Sequence, residues 1–248
     1  MNKNILILVS EFPPGPGGIA DHAYNLSFQL SQHGFIVKVL TREREQFSKI
    51  TSDSNIKSLY EVKSFKRKGI SFFGILYRLY KMTKEVFVSR RYNTIIASGN
   101  TMLWLVAILS PFLKNRDLLC IVHGAEVNHP SGWKKLLTTW SLRKYKKIIA
   151  VSTYTKSIVE KSSEYKNILV IPNGFEEEKI KIIKKFTIPG SPSLVTVGAL
   201  TKRKGQHNII KAIPTVIQKY PNFQYHMIGY PSDKDKLSIL GNDLCVAN

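Results

Sequence analysis

The chain has 248 residues, with 37 Lys and Arg against 17 Asp and Glu, and so carries a net charge of +20. An apolar share of 43% excludes a disordered chain, and a complement of only two cysteines, Cys120 and Cys245, excludes a disulfide scaffold. The length admits one domain or two, and the charge predicts attraction to polyanions: nucleic acid, anionic lipid or phosphorylated small molecules.

Residues 5–9 (ILILV) form a continuous apolar run of strand length, of the kind buried on both faces of a parallel sheet. Pro13, Pro14, Gly15, Pro16, Gly17 and Gly18 break the run. A helical period follows, with Ile19, Ala23, Leu26 and Leu30 on one face and Asp21 in the first turn. Strand, glycine loop and helix N-terminus form either a phosphate-binding device or a tight βα turn that needs glycine for geometry alone. The loop matches neither GxGxxG nor a Walker A sequence.

Residues 36–40 (IVKVL) read as a second strand, 42–55 as a polar loop and 56–62 as a short strand. A basic segment, 63–68, leads into a helical stretch in which Phe72, Leu76, Leu79, Val86 and Phe87 fall near one face. Residues 94–97 read as a strand, 102–113 as an apolar helix, 118–122 as a strand ending at His123-Gly124, and 133–145 as a basic helix. Strand 148–151, helix 154–161 and strand 168–171, closed by Pro172-Asn173-Gly174, complete an alternating pattern. That alternation predicts an α/β fold with a doubly wound parallel sheet, whose ligands bind beyond the strand C-termini.

Residues 175–192 read as a linker: Glu176, Glu177 and Glu178, then lysines, then Pro189-Gly190-Ser191-Pro192. A strand at 194–197, a turn at 198–205, a helix at 206–219 and a strand at 223–228 begin a new βαβ unit, with a further helix from Asp233. The expected organisation is therefore a Rossmann-like domain over 1–174, a linker over 175–192 and a second Rossmann-like domain over 193–248. One βαβ unit cannot bury both faces of its sheet, so the second domain reads as incomplete.

Lys202, Arg203 and Lys204 lie between a strand end and a helix start, where they form either a receptor for a diphosphate or a solvated basic loop. His123 at a strand end is either a structural imidazole or a ligand-facing one, and Glu126 either orients it or caps a helix. Asn173-Gly174 is a turn, or a turn that also lines a cleft at the domain junction. The segment 63–91 is a core-packed helix with a solvated face, or an interfacial helix. In the second case Lys66, Arg67 and Lys68 meet anionic lipid while Phe72 and Phe73 contact acyl chains. Aromatic density and the scarcity of acids, Glu85 alone, favour the membrane reading. The first apolar run is too short for a signal peptide, and 102–113 is too short to span a bilayer, which predicts a cytoplasmic or peripheral membrane protein. The sequence shows no HExxH, zinc-spaced Cys/His set, DxD between strand and loop, GxSxG, zinc finger or RRM signature, and no specific nucleic-acid reading element.

Taken in series, PGPGGIADH, HGAEV, VSTYT, IPNGF and VGALTKRKGQ resemble glycosyltransferase family 4, the retaining, nucleotide-sugar-dependent enzymes with two facing Rossmann-like domains of the GT-B fold. The resemblance implies a sugar transferred from a nucleotide diphosphate sugar to a saccharide or lipid-linked acceptor, in envelope polysaccharide or glycolipid synthesis. It implies Gly17 and Gly18 near the donor diphosphate, His123 beside the transferred sugar, Asn173 and Glu126 at the interdomain cleft, and Lys204, with Lys202 and Arg203, on the diphosphate leaving group. No metal and no cofactor beyond the co-substrate are implied. Catalysis would come from positioning and from stabilising the departing phosphate charge. Two departures stand out: Ala199 occupies a position that is commonly arginine, and the family's paired glutamates lie further along than residue 248. The expectation is therefore a glycosyltransferase of the family 4 type, or an N-terminal fragment of one. The rival expectations are a nucleotide-sugar epimerase on the same fold, and a non-catalytic basic module that binds membrane or polyanion.

Overall fold

A computed structural model describes residues 3–15, 17–42, 59–66, 72–128, 132–163, 165, 167–174 and 188–229. Of the loop expected at 42–55, Arg42 belongs to a strand and the rest lies outside these residues, as do most of the linker, the helix from Asp233 and Cys245. The chain divides into two compact units, Met1–Phe175 and Glu176–Asn248.

The first unit is a seven-stranded, wholly parallel sheet. Its strands are β1 (Asn4–Val9), β2 (Ile36–Arg42), β3 (Glu61–Phe65), β4 (Thr94–Ser98), β5 (Asp117–Val122), β6 (Lys147–Ala150) and β7 (Ile168–Val170), in the order β3-β2-β1-β4-β5-β6-β7. Its helices are α1 (Gly18–Gln32), α2 (Phe72–Val88), α3 (Asn100–Leu109), α4 (Trp133–Leu142) and α5 (Thr153–Ser163). β1 is central and apolar along its length because both faces are covered. Leu6 and Leu8 join one core with Met82 of α2, Met102 and Val106 of α3, Leu142 of α4 and Val159 of α5. Ile5, Ile7 and Val9 join a second core with Ala23 of α1. Each Val, Leu, Ile or Met among them contributes about 1.5–3 kcal/mol on burial.

Several boundaries differ from the sequence expectation, each for a visible reason. β3 runs on to Phe65 instead of stopping before Lys63, because it pairs with β2 from Lys38↔Glu61 to Arg42↔Phe65 and Lys63 there meets a buried carboxylate on α2. α3 stops at Leu109, followed by a 3-10 turn over Ser110–Phe112, since Pro111 has no N–H to continue the helix. α4 stops at Leu142, and Tyr145 leaves the helical path to enter the core, where its hydroxyl donates to the Leu103 carbonyl at 2.6 Å. On α2 the buried face is Met82, Glu85 and Val86, with Leu79 and Phe87 packed alongside, while Leu76 is exposed.

In the second unit β8 (Ser193–Val197) and β9 (Gln224–Ile228) form a parallel pair joined by α6 (Gln206–Lys219). Leu200, Ile210, Tyr225 and Met227 pack together. Gly198 and Gly229 touch: a Cβ on Gly229 would lie 1.9 Å from the Gly198 carbonyl oxygen.

Candidate active site

β1 runs on through α1 to β2 on one side, whereas β4 lies on its other side. The sheet's topological switch point thus falls between the C-terminal ends of β1 and β4, where open α/β sheets bind ligands. Ser10 follows β1 and donates its backbone N–H to the Ser98 carbonyl at 3.0 Å. Gly99, with φ +87°, passes so close that a Cβ there would meet the Ser10 hydroxyl oxygen at 2.0 Å. This crossing fixes the end of β4 and points Ser98 at the neighbouring strand. The Ser98 hydroxyl lies 3.1 Å from Nε2 of His123, which directly follows β5.

Two further groups converge on His123. Its ring stands edge-on to that of His22 on α1, with centroids 4.9 Å apart. Its backbone N–H donates to Oε2 of Glu126 at 3.0 Å. Burial, with a smaller contribution from His22, pushes the His123 pKa down to about 4, and burial also lowers that of His22. Both rings are therefore neutral at neutral pH. Glu126 is only 2% exposed, and its other carboxylate oxygen has no hydrogen-bond partner among the described residues. Burial, with the charge of Glu11, raises its pKa against two opposing backbone hydrogen bonds.

The glycine loop joins the same edge. Gly17 caps α1 with φ +138°, and a Cβ on it would lie 3.0 Å from a carboxylate oxygen of Glu11, which is itself paired with Arg42 at 3.3 Å. A Cβ on Gly18 would meet nothing within 4 Å, so the backbone there faces open space. The first turn of α1 and the neutral His22 and His123 rings thus form an edge with amide donors and uncharged imidazoles. Gly124, with φ +101°, continues the edge on the far side of His123.

In the second unit, Lys202–Lys204 form a 3-10 turn between β8 and α6, and all three side chains are exposed. The turn closes through Gly205 in the left-handed region, φ +81°, directly into the α6 N-terminus. Gln206 is buried and donates to the Ala199 carbonyl at 3.1 Å, which holds the strand end against the helix start. Three cations and a helix N-terminus at one strand end can receive a diphosphate.

The remaining candidates fall elsewhere. Asn173 is exposed after β7 and within the first unit. Lys66 and Phe73 are exposed, while Arg67, Lys68 and the side chain of Phe72 lie outside the described residues. Sequence reading missed Ser10, His22, Ser98 and Gly99. The SGN stretch at 98–100, a strand end running through glycine into a helix, was the available signal for the last two. Among the described residues no group of three or more His, Cys, Asp or Glu is placed to hold a metal ion.

The fold is of the GT-B type. It matches the crystal structure of Anabaena Alr3699/HepE in complex with UDP and glucose with a TM-score of 0.71 at 20% identity, over 99% of this chain and 67% of that one. A putative UDP-N-acetylglucosamine 2-epimerase from Listeria monocytogenes matches with a TM-score of 0.61 at 11% identity, over 100% of this chain and 68% of that one. Residues 16–179 match the sequence model of Glycosyltransferase Family 4, and the chain belongs to that family. The uncharacterized glycosyltransferase MJ1059 of Methanocaldococcus jannaschii is 30% identical over 118 residues, 42% of this chain and 29% of that protein. The chain thus spans less than a third of MJ1059 in that match and about two thirds of the HepE structure.

Proposed function

We propose that the chain acts in a retaining glycosyltransferase that uses a nucleotide diphosphate sugar, its first unit serving the acceptor side and its second the donor side. The observation that carries this reading is His123 at the end of β5, beside the sheet's switch point, held by Ser98 and Glu126 and packed on His22. An uncharged imidazole there can hydrogen-bond a sugar hydroxyl without attracting a competing anion. In the reaction, the bond from the sugar's anomeric carbon to the β-phosphate oxygen breaks and a bond from that carbon to the acceptor oxygen forms. The acceptor's proton leaves with the departing phosphate. Lys202, Arg203 and Lys204, with the α6 N-terminus, stabilise the diphosphate as its charge develops, in the role a metal ion fills elsewhere. Gly17 and Gly18 let the donor approach the α1 N-terminus. Glu126, buried beneath the edge, positions His123 through its backbone N–H. A saccharide or lipid-linked acceptor of envelope polysaccharide or glycolipid synthesis, met at the cytoplasmic face of a membrane, suits the charge of +20.

The test is incubation with UDP- and GDP-sugars, with and without acceptor, followed by product analysis. Transfer that requires acceptor is the expected result. Lys204→Ala should lower kcat/KM by roughly 10²-fold, the cost of one electrostatic contact to a developing charge, and His123→Ala by roughly tenfold, the cost of one neutral hydrogen bond. An epimerised sugar formed from donor alone would replace this reading with that of an epimerase, and absence of any donor binding would remove both.

A further inference from the structure

On α4 the usual burial pattern is inverted. Trp133, Leu136 and Trp140 recur at helical spacing and are 64%, 73% and 41% exposed. The face turned to the protein carries Thr138, Ser141 and Leu142 instead. Thr138 is satisfied there, accepting the Trp104 indole N–H at 3.0 Å. Two cations lie over the exposed rings: Lys134 Nζ is 5.7 Å from the Trp133 centroid and Lys144 Nζ is 5.3 Å from that of Trp140. Lys135 and Arg143 are exposed beside them.

The helices on one side of α4 continue the pattern, whereas α5 on the other side, joined through Thr139 to the Ser162 carbonyl, carries the exposed Glu160 beside Lys156. α3 packs on α4 through Trp104 and Trp133, with ring centroids 5.8 Å apart, and Ile108 of α3 is exposed. Phe112, exposed in the turn after α3, packs against Phe87 of α2, and Tyr80 and Val88 of α2 are exposed. Neither α3 nor α4 contains an acid, and Glu85, the single acid on α2, is buried between Lys38 and Lys63. The outer surface of α2, α3 and α4 thus shows aromatic and aliphatic groups and cations, and no carboxylate.

We propose that α4, with α3 and then α2 beyond it on one side, is a docking surface for an anionic lipid bilayer, with Trp133, Leu136 and Trp140 entering the boundary between headgroups and acyl chains while Lys134, Lys135, Arg143 and Lys144 meet lipid phosphates. Indole rings with an apolar body and a polar N–H favour that boundary. A second copy of this face would oppose cation to cation with no acid to answer them. Nucleic acid would take up the charge and the rings but leave Leu136 and Ile108 in water. Docking through α4 is independent of transfer chemistry, so its failure leaves the glycosyltransferase reading untouched.

The chain reports on this surface itself, because its only three tryptophans are Trp104, Trp133 and Trp140. Mixed phosphatidylglycerol–phosphatidylcholine vesicles should shift its tryptophan emission to the blue and carry it upward in a flotation gradient. Vesicles of phosphatidylcholine alone should do neither. Leu136→Ser/Trp140→Ser should weaken flotation by at least roughly tenfold, from the loss of two inserted side chains. Lys134→Gln/Lys135→Gln, two fully surface-borne changes that keep the test alive if the serine pair fails to fold, should weaken it by about thirtyfold. Equal binding to neutral vesicles, full binding by the folded variants, or a concentration-dependent dimer that the same variants abolish would each overturn the assignment.

Discussion

The imidazole of His123 stands edge-on to that of His22, ring centroids 4.9 Å apart, although the two come from distant parts of the chain: the end of β5 and the first half of α1. Burial keeps both neutral, and His123 is held down to about 4. A folded-state pKa below the unfolded value of about 6.5 means that the unfolded chain binds more protons between those limits. His123 therefore stabilises the fold fully above about pH 6.5, and this contribution, on the order of 3 kcal/mol, is lost as pH falls towards 4. His22 acts with the same sign. Urea midpoints measured from pH 7 to pH 4.5 should fall, and His123→Gln should flatten that fall. An unchanged slope in the variant would show that the ring is not desolvated.

Glu126 opposes this slope. Its folded-state pKa is raised, so its contribution is fully present below the unfolded value and is lost as pH rises through the folded one. Glu126→Gln removes a buried charge while keeping an oxygen for the His123 N–H, and should leave stability at pH 7 equal or higher by about 1 kcal/mol. The variant's stability should then rise more steeply with pH than that of the parent. Glu126→Ala leaves the His123 N–H without its acceptor and should cost about 1–3 kcal/mol. Parallel denaturation curves of the two variants separate these effects.

The elements of this site were legible in the sequence, but its contacts were not. The apolar run of β1, the glycine loop and the period of α1 are local patterns, and α6 was readable to its end residues, Gln206–Lys219. His123 was visible because a strand visibly ends before it. His22 and Ser98 reach His123 only because β4 lies between β1 and β5. Strand order is set by crossover packing, which no local period records. The exposed stripe of α4 was hidden for another reason: Trp133, Leu136 and Trp140 have the spacing of a core face, and only the structure shows that Thr138, Ser141 and Leu142 take that place.

Ser10 and Gly99 give the crossing between β1 and β4 a sharp steric signature. A Cβ at Gly99 would lie 2.0 Å from the Ser10 hydroxyl oxygen and 2.6 Å from its Cβ, and φ at Gly99 is +87°. Gly99→Ala should therefore destabilise by about 2–4 kcal/mol, from overpacking together with left-handed backbone strain. In Ser10→Gly/Gly99→Ala the overlap disappears and the strain stays, so the double variant should recover part of the loss, not all of it. A double-mutant cycle by thermal unfolding measures the coupling, and additive losses would show that the two residues do not touch.

The last prediction concerns how α2 is fastened to the sheet. Lys38 of β2 donates to Glu85 at 2.6 Å and pairs with Glu61 of β3 at 2.9 Å, while Lys63 of β3 reaches the other oxygen of Glu85. Burial alone would raise the Glu85 pKa, but hydrogen bonds and charge from Lys38 and Lys63 outweigh it and the pKa is lowered. Burial alone would likewise lower that of Lys38, and its two carboxylate partners raise it. Glu85→Ala leaves Lys38 buried beside one partly exposed partner and should cost about 3 kcal/mol or more, because an uncompensated buried charge is worse than no pair. Lys38→Met/Glu85→Met removes both charges at similar volume and should cost far less. The Glu85 contribution is present above the unfolded carboxylate pKa and is lost as pH falls through the folded one, so the parent and the Met pair should converge in stability under acid. Chemical denaturation of the three proteins at neutral and acid pH decides it: a Met pair as unstable as Glu85→Ala would mean that α2 is held by the geometry of these bonds and not by the avoidance of a stranded charge.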